Sequence, residues 1–282
     1  EQFLVRNKSS VSATVWGHGG VGKTASIQSV CMDLYNGSQK AFDYIVFMSA
    51  KDRQYDTISG TIKDILHIRT YEEIILGIAS AVFDEPYEDE PTEEQLSALE
   101  TRICEAKSRM LIVIDDFETF EDREKEKINL FIDRLHVEIH KVVITTRNKR
   151  LANGVEIPTS EFDLGGTVSF LESIIRNNYP EHVNQLKTWL RAPHVADKIH
   201  EATSGRPIFI YQFAHLFAQH GYTEKLLKNL SNSENARTFL YGRLYDHLSR
   251  VARDAFVCIS QIMNENDMIF RTSVLEYLLT KD

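Results

Sequence analysis

Gly17, Gly22, Lys23 and Thr24 fit the order G-x-x-x-x-G-K-T within VWGHGGVGKTAS at residues 15–26. Gly17, Gly19, Gly20 and Gly22 crowd into six positions, a composition costly in backbone entropy unless the main chain must approach something closely. Phosphate binding uses such a turn. Glycines let successive N–H groups face an anion, and a helix that follows adds its unpaired N–H groups and its positive end. Gly17, Gly19, Gly20, Val21, Gly22, Lys23, Thr24 and Ala25 are therefore the expected nucleotide-contacting segment. Lys23 would meet the β and γ phosphates, and Thr24 would ligate Mg2+. A glycine-rich turn with a solvated lysine is the plainer alternative. The position of the pattern, after an apolar run and before a helical repeat, favours the phosphate loop.

Two more groups add to this chemistry. MLIVIDDF (110–117) is a strand-type run ending in Asp115 and Asp116. Carboxylates at the carboxyl edge of a parallel sheet sit where α/β proteins bind ligands. There Asp115 would hold the Mg2+ and Asp116 would orient or deprotonate an attacking water; the alternative is an acidic turn and helix cap. VVITTRN (142–148) ends a similar run with Arg147 at its tip, where a guanidinium would suit the γ-phosphate. His136 and His140 in HVEIH do not follow the H-E-x-x-H order, and they are expected on an ordinary helix surface. EDREKEK (121–127) reads as a solvated helix start.

These residues need elements to position them. The runs at 11–16, 44–48, 110–114 and 142–146 are nearly continuous in apolar or β-branched residues, as in parallel strands buried on both faces. Helical stretches lie between them: Ile27, Val30, Cys31 and Leu34 share one face, 92–107 opens with a Thr92/Gln95 capping pattern, and 123–136 is amphipathic. Strands alternating with helices predict a doubly wound α/β domain. From about residue 166 the pattern is helical, with Val195, Ile199 and Ala202 on one face and Phe209, Phe213, Leu216 and Phe217 on another. Breaks fall near Pro180, Pro193, SGRP (204–207) and residues 220–221, and DEPYEDEPTEE (84–94) reads as a solvated loop. The expected division is 1–165, 166–233 and 234–282.

Composition sets outer limits. At 282 residues, 43% hydrophobic and 26% charged, the chain is a globular protein of two or three domains. A net charge of −9 argues against sequence-independent nucleic-acid binding, which is driven by neutralising phosphates. Cys31, Cys104 and Cys258 lie far apart, so neither a disulfide framework nor a structural zinc site is expected, and a reducing, cytoplasmic setting is. The apolar run IILGIASAVF (74–83) is too short to span a bilayer, and no signal peptide is recognised. The opening EQFLVRNKSS lacks an initiator methionine and reads as the middle of a longer polypeptide.

Taken in order, GHGGVGKT, YIVFMSAKDR, LIVIDDF, VVITTR and SGRP resemble the NB-ARC group of STAND signal-transducing P-loop NTPases. That group includes plant resistance proteins, apoptosome scaffolds and many bacterial defence proteins. The resemblance implies a P-loop NTPase sheet of order 5-1-4-3-2, a helical domain and the start of a winged-helix domain. It implies that Lys23 and Thr24 bind phosphate and magnesium, and that Asp115 is the Walker B acid. Asp116 would be the catalytic acid, Arg147 a sensor of the third phosphate, and Pro207 the residue packed on adenine. The implied protein is an ATP/ADP switch with Mg2+ that hydrolyses slowly and self-associates on an unknown trigger. Its setting would be immune or cell-death signalling, including bacterial antiviral defence of the NLR-like kind. Direct nucleic-acid binding and a membrane segment are not expected. Three departures stand out. The upstream GR motif is not recognisable, the His-Asp motif of a complete winged helix is absent, and SAKDR lacks the tryptophan of the plant proteins. An AAA+-like or helicase-like motor is the alternative function, and a nucleoside kinase a third.

Overall fold

A computed structural model describes residues 2–37, 40–50, 53–56, 61–64, 68–84, 91–147 and 154–220, together with Arg250, Arg253, Asp254 and Val257. The chain divides into two compact units. The first comprises Glu1–Gln54, Lys63–Gly166 and Gly205–Ile208, and the second Tyr55–Ile62, Thr167–Ser204 and Phe209–Asp282.

Five strands of the first unit form one parallel sheet: β1 (Ser12–Trp16), β2 (Tyr44–Ser49), β3 (Met110–Asp115), β4 (Lys141–Thr146) and β5 (Val155–Pro158). Their order is β2-β3-β4-β1-β5, which is the expected 5-1-4-3-2 read from the other edge. Arg53–Asp56 and Thr61–Asp64 form a separate short pair. The helices of this unit are α1 (Gln2–Arg6), α2 (Lys23–Asn36), α3 (Tyr71–Phe83), α4 (Glu93–Glu105) and α5 (Asp122–Arg134).

β3 and β4 are buried along their whole length, which explains their unbroken apolar sequences. Alternate residues of β3 serve opposite faces. Ile112 and Ile114 pack with Ile74 and Ile78 of α3, Ile103 of α4 and Phe131 of α5. Leu111 and Val113 pack instead with Ala13 and Val15 of β1, Cys31 of α2 and Phe3 of α1. Helices thus cover both faces, the doubly wound arrangement. The caps at Thr70/Glu73 and Thr92/Gln95 are reciprocal capping boxes, each satisfying two helix-end or flanking N–H groups.

Two features depart from the sequence reading. α5 stops at Arg134, and residues 137–139 form a turn. His140 is fully buried at the entry to β4 and is not on a helix surface, because the apolar stripe ends with Leu135 and the chain must turn back into the sheet. The helix start at 121–127 is also less purely solvated than expected: the Glu124 carboxylate accepts from Tyr71 N at 2.6 Å and pairs with Lys127 at 3.0 Å, tying α5 to α3.

In the second unit the described chain is largely helical, carried by α6 (Leu164–Asn178), α7 (Val183–Leu190), α8 (Val195–Thr203) and α9 (Pro207–His220), apart from residues 55–56 and 61–62 of the short strand pair. The first residues of α6 and α9 group with the first unit. Trp189 of α7 stacks on Phe213 at 6.0 Å and Phe217 at 5.4 Å, at interplanar angles of 14° and 10°. Val195, Ile199 and Ala202 are buried as their spacing predicts, as are Phe209, Phe213, Leu216 and Phe217. The expected domain over 234–282, apart from four residues, and most of the acidic segment at 84–94 lie outside the described residues.

Candidate functional site

The glycine segment runs from the end of β1 to the start of α2. Gly17 N donates to Thr146 O at 3.3 Å, which anchors the loop to the end of β4. A Cβ on Gly17 would lie 2.3 Å from Thr159 Oγ1 and 2.6 Å from Thr159 O, so only glycine fits there. Gly20 and Gly22 have φ of 80° and 90°, a region that disfavours side chains. α2 begins at Lys23 with no acidic residue in its first turn, and its N-cap, Gly22, offers no side-chain acceptor. Its first N–H groups and positive end are thereby open to an anion.

Lys23 is only 7% exposed, and its Nζ donates to Gly17 O at 2.7 Å and His18 O at 3.0 Å. The ammonium therefore arches back over the loop. Burial pulls its pKa below the ordinary value, and Arg147 acts in the same direction, while Glu118, Asp116 and Asp115 oppose it.

Asp115 is fully buried at the tip of β3. Its Oδ1 accepts from Thr24 Oγ1 at 2.8 Å and Thr145 Oγ1 at 2.6 Å, and its Oδ2 from Ser49 Oγ at 3.1 Å. Thr145 Oγ1 in turn accepts from Asp116 N at 3.0 Å. One carboxylate thus joins the ends of β2, β3 and β4 to the start of α2. Asp116 has a φ of 57°, turning the chain into the 3-10 turn Phe117–Thr119. Arg147 follows β4; its Nε lies 3.2 Å from Glu118 Oε1, and its Cζ would lie 3.7 Å from a Cβ on Gly19. Pro207 Cγ would lie 3.7 Å from a Cβ on Gly22, and Ile208 Cγ2 2.9 Å from one on Gly20.

Lys23, Thr24, Asp115, Asp116, Arg147 and Pro207 therefore lie in or beside the glycine loop or are linked to it through Asp115. Ser49, Glu118, Thr145 and Thr159 were missed. Thr145 lies within VVITTR and Glu118 just after the paired acids, but neither stands in a spacing that marks its contact. The oxygen groups of Thr24 and Asp115 suit a hard cation such as Mg2+, which takes one or two carboxylates and completes its shell with phosphate and water. Among the described residues no cluster of three or more His, Cys, Asp or Glu forms a dedicated metal cage. Thr24 and Asp115 thus fit that ion in a phosphate-dependent site.

A model of the NACHT domain matches residues 12–166, more than half of the chain. Among solved structures, the chain is similar to Cdc6p from Pyrobaculum aerophilum, at 14% identity and a TM-score of 0.51, over 94% of this chain and 82% of that one. It is also similar to the Orc1 protein of Aeropyrum pernix, solved in complex with DNA, at 14% identity and a TM-score of 0.50, over 99% and 73% of the two chains. At such identity the likeness is one of fold. A STAND protein with a tetratricopeptide repeat sensor from Pyrococcus horikoshii matches at 15% identity and a TM-score of 0.46, over 100% of this chain and 36% of that one. No curated protein matches by sequence. The family match supports the STAND level of the resemblance drawn above, and it gives NACHT where the motifs suggested NB-ARC. With its glycine loop, buried Asp115 and five-stranded parallel sheet inside the matched segment, the chain belongs to the NACHT domain family of STAND P-loop NTPases.

Proposed function

We propose that the chain is the nucleotide-binding core of an ATP/ADP switch that hydrolyses ATP slowly and self-associates on a trigger. The observation that carries this reading is the link from the glycine loop to the sheet: Thr24, directly after Lys23, is hydrogen-bonded to the buried Asp115. Lys23 would leave the loop carbonyls for the β and γ phosphates. Thr24 and Asp115 would hold Mg2+, which when bound neutralises phosphate charge. Asp116 would position the attacking water, Arg147 would sense the third phosphate, and Pro207 would pack on adenine.

Membership of a STAND family supports a switch at this coarse level. The finer reading, NLR-like immune or cell-death signalling with bacterial antiviral defence, rests on the NB-ARC resemblance. A cytoplasmic setting rests instead on the three widely separated cysteines, which favour a reducing compartment. The net charge of −9 favours a chain that does not bind nucleic acid without sequence preference. Among the described residues no helix is long and apolar enough to cross a membrane.

An AAA+-like or helicase-like motor is compatible with the same fold, and turnover separates the two. Purified protein should retain ADP and hydrolyse ATP slowly. Fast turnover without retained nucleotide would favour the motor. Light scattering on the full-length protein with trigger should give a larger mass with a non-hydrolysable ATP analogue than with ADP. Equal masses with both nucleotides bound would refute the switch.

A further inference from the structure

We propose that Glu118 is the resting partner of Arg147, that it competes with the third phosphate for this guanidinium, and that it thereby sets the preference between ATP and ADP. The proposal rests on the nucleotide reading above and concerns the regulation of the same site.

The two side chains are unequal. Glu118 belongs to a turn pinned by Thr119 N to Asp116 O at 3.0 Å, by Thr119 Oγ1 to Asp116 O at 2.7 Å and by the fully buried Phe117. Its side chain is 16% exposed, whereas that of Arg147 is 65% exposed. The acid is therefore fixed, while the base extends into solvent beside Gly19 of the phosphate loop. Glu118 Oε1 faces Arg147 Nε at 3.2 Å, and Glu118 Oε2 is buried with no hydrogen-bond partner among the described residues. A largely shielded carboxylate with one oxygen buried relies on its cation, because losing that partner leaves its charge less compensated. Glu118 is also the carboxylate acting most strongly on Lys23, ahead of Asp116 and Asp115, which places its charge close to the loop.

A triphosphate brought to this loop would draw Arg147 away from Glu118. A diphosphate lacks the group nearest the sensor and would leave the pair closed. A ligand shifts an equilibrium only by its differential affinity for the two states, and this exchange supplies such a difference. The pair opposes ATP more than ADP. Neutralising the acid should therefore favour ATP, and the gain should need Arg147.

The test is a set of calorimetric titrations of the intact protein with Mg2+ and either ADP or a non-hydrolysable ATP analogue. Wild type, Glu118→Gln, Arg147→Ala and the double variant are compared. Glu118→Gln should raise the analogue-to-ADP affinity ratio about two- to fivefold, the range for a partly exposed ion pair. In the Arg147→Ala background the same change should leave the ratio where it was. An unchanged ratio in Glu118→Gln would overturn the proposal, as would an equal rise without Arg147. A wild type that binds neither nucleotide would instead overturn the nucleotide reading itself. A further readout needs no Glu118 variant: the Arg147 Nε–H resonance, assigned with Arg147→Lys, should shift with the analogue and stay in place with ADP. The same shift with both would count against the competition.

Discussion

Thr24 and Asp115 are 91 residues apart in sequence, and Thr24 Oγ1 donates to Asp115 Oδ1 at 2.8 Å. The same Oδ1 accepts from Thr145 at 2.6 Å. Two hydroxyls from different elements thus hold one carboxylate oxygen in place before any ligand arrives. Thr145 would support the metal through Asp115 without touching it. Thr145→Val keeps the β-branched shape and removes the hydrogen bond. It should weaken Mg2+-dependent nucleotide binding by about ten- to a hundredfold, the usual cost of losing a ligand's supporting partner. Titrations with and without Mg2+ would check this, and an unchanged metal dependence would argue against the assignment.

Lys23→Ala should abolish nucleotide binding, because it removes the charge that meets the β and γ phosphates. It also releases the loop carbonyls of Gly17 and His18, which Lys23 now occupies. Retained micromolar affinity in a folded variant would sink the phosphate-loop assignment.

Asp116→Ala should leave Mg-ATP bound and slow its hydrolysis by about 10²–10⁴-fold, the usual contribution of a group that positions or deprotonates water. Single-turnover hydrolysis measures the step directly. A wild-type rate would remove Asp116 from the chemistry.

Gly17→Ala should destabilise the α/β unit even without nucleotide. The added methyl meets Thr159 Oγ1 at 2.3 Å, while Thr159 N is itself hydrogen-bonded to Trp16 O at 2.8 Å and cannot easily retreat. A cost on the order of 1–3 kcal/mol is expected from such overpacking. The urea midpoint of ligand-free protein reads it, and an unchanged midpoint would contradict the close approach.

Acid should weaken the fold through His140. Burial, with a smaller contribution from nearby His136, lowers its pKa from the ordinary 6.5 to about 4. The unfolded chain takes up this proton near pH 6.5 and the folded chain only near pH 4. The stability held by neutral His140 is complete above pH 6.5 and is lost as the pH falls towards 4. A difference of this size corresponds to about 3 kcal/mol. Thermal melts of wild type and His140→Leu between pH 7 and 5 should show a steeper decline in the wild type. Parallel declines would refute the assignment.

β1 to β4 were legible because strands covered on both faces print as continuous apolar runs. β5 was not, since VEIP pairs only with β1 at the sheet edge and three of its four residues are exposed. The run IILGIASAVF lies in helix α3; burial of Ile74, Ile75, Ile78 and Ala79 blurs the periodicity that would distinguish a helix from a strand. Lys23, Thr24 and Asp115 were readable from local spacing. Thr145 and Ser49 were not, because their contact with Asp115 follows from β4 and β2 flanking β3, a property of strand order. Glu118 escaped notice because a lone glutamate in a turn carries no pattern. Pro207 was suggested by family resemblance alone, since nothing within SGRP points to a loop 185 residues earlier, where Gly22 lies close to it.

The stacking of Trp189 on Phe213 and Phe217 has an optical consequence. The chain holds two tryptophans, Trp16 at the mouth of the glycine loop and Trp189 against Phe213 and Phe217. Each unit therefore carries its own intrinsic emitter. Trp16→Phe leaves fluorescence that follows the helical unit, and Trp189→Phe leaves fluorescence that follows the α/β unit. Two dye-free denaturation curves would show whether the units melt as one body or in sequence, and Trp16 emission would also signal nucleotide arrival at the neighbouring loop.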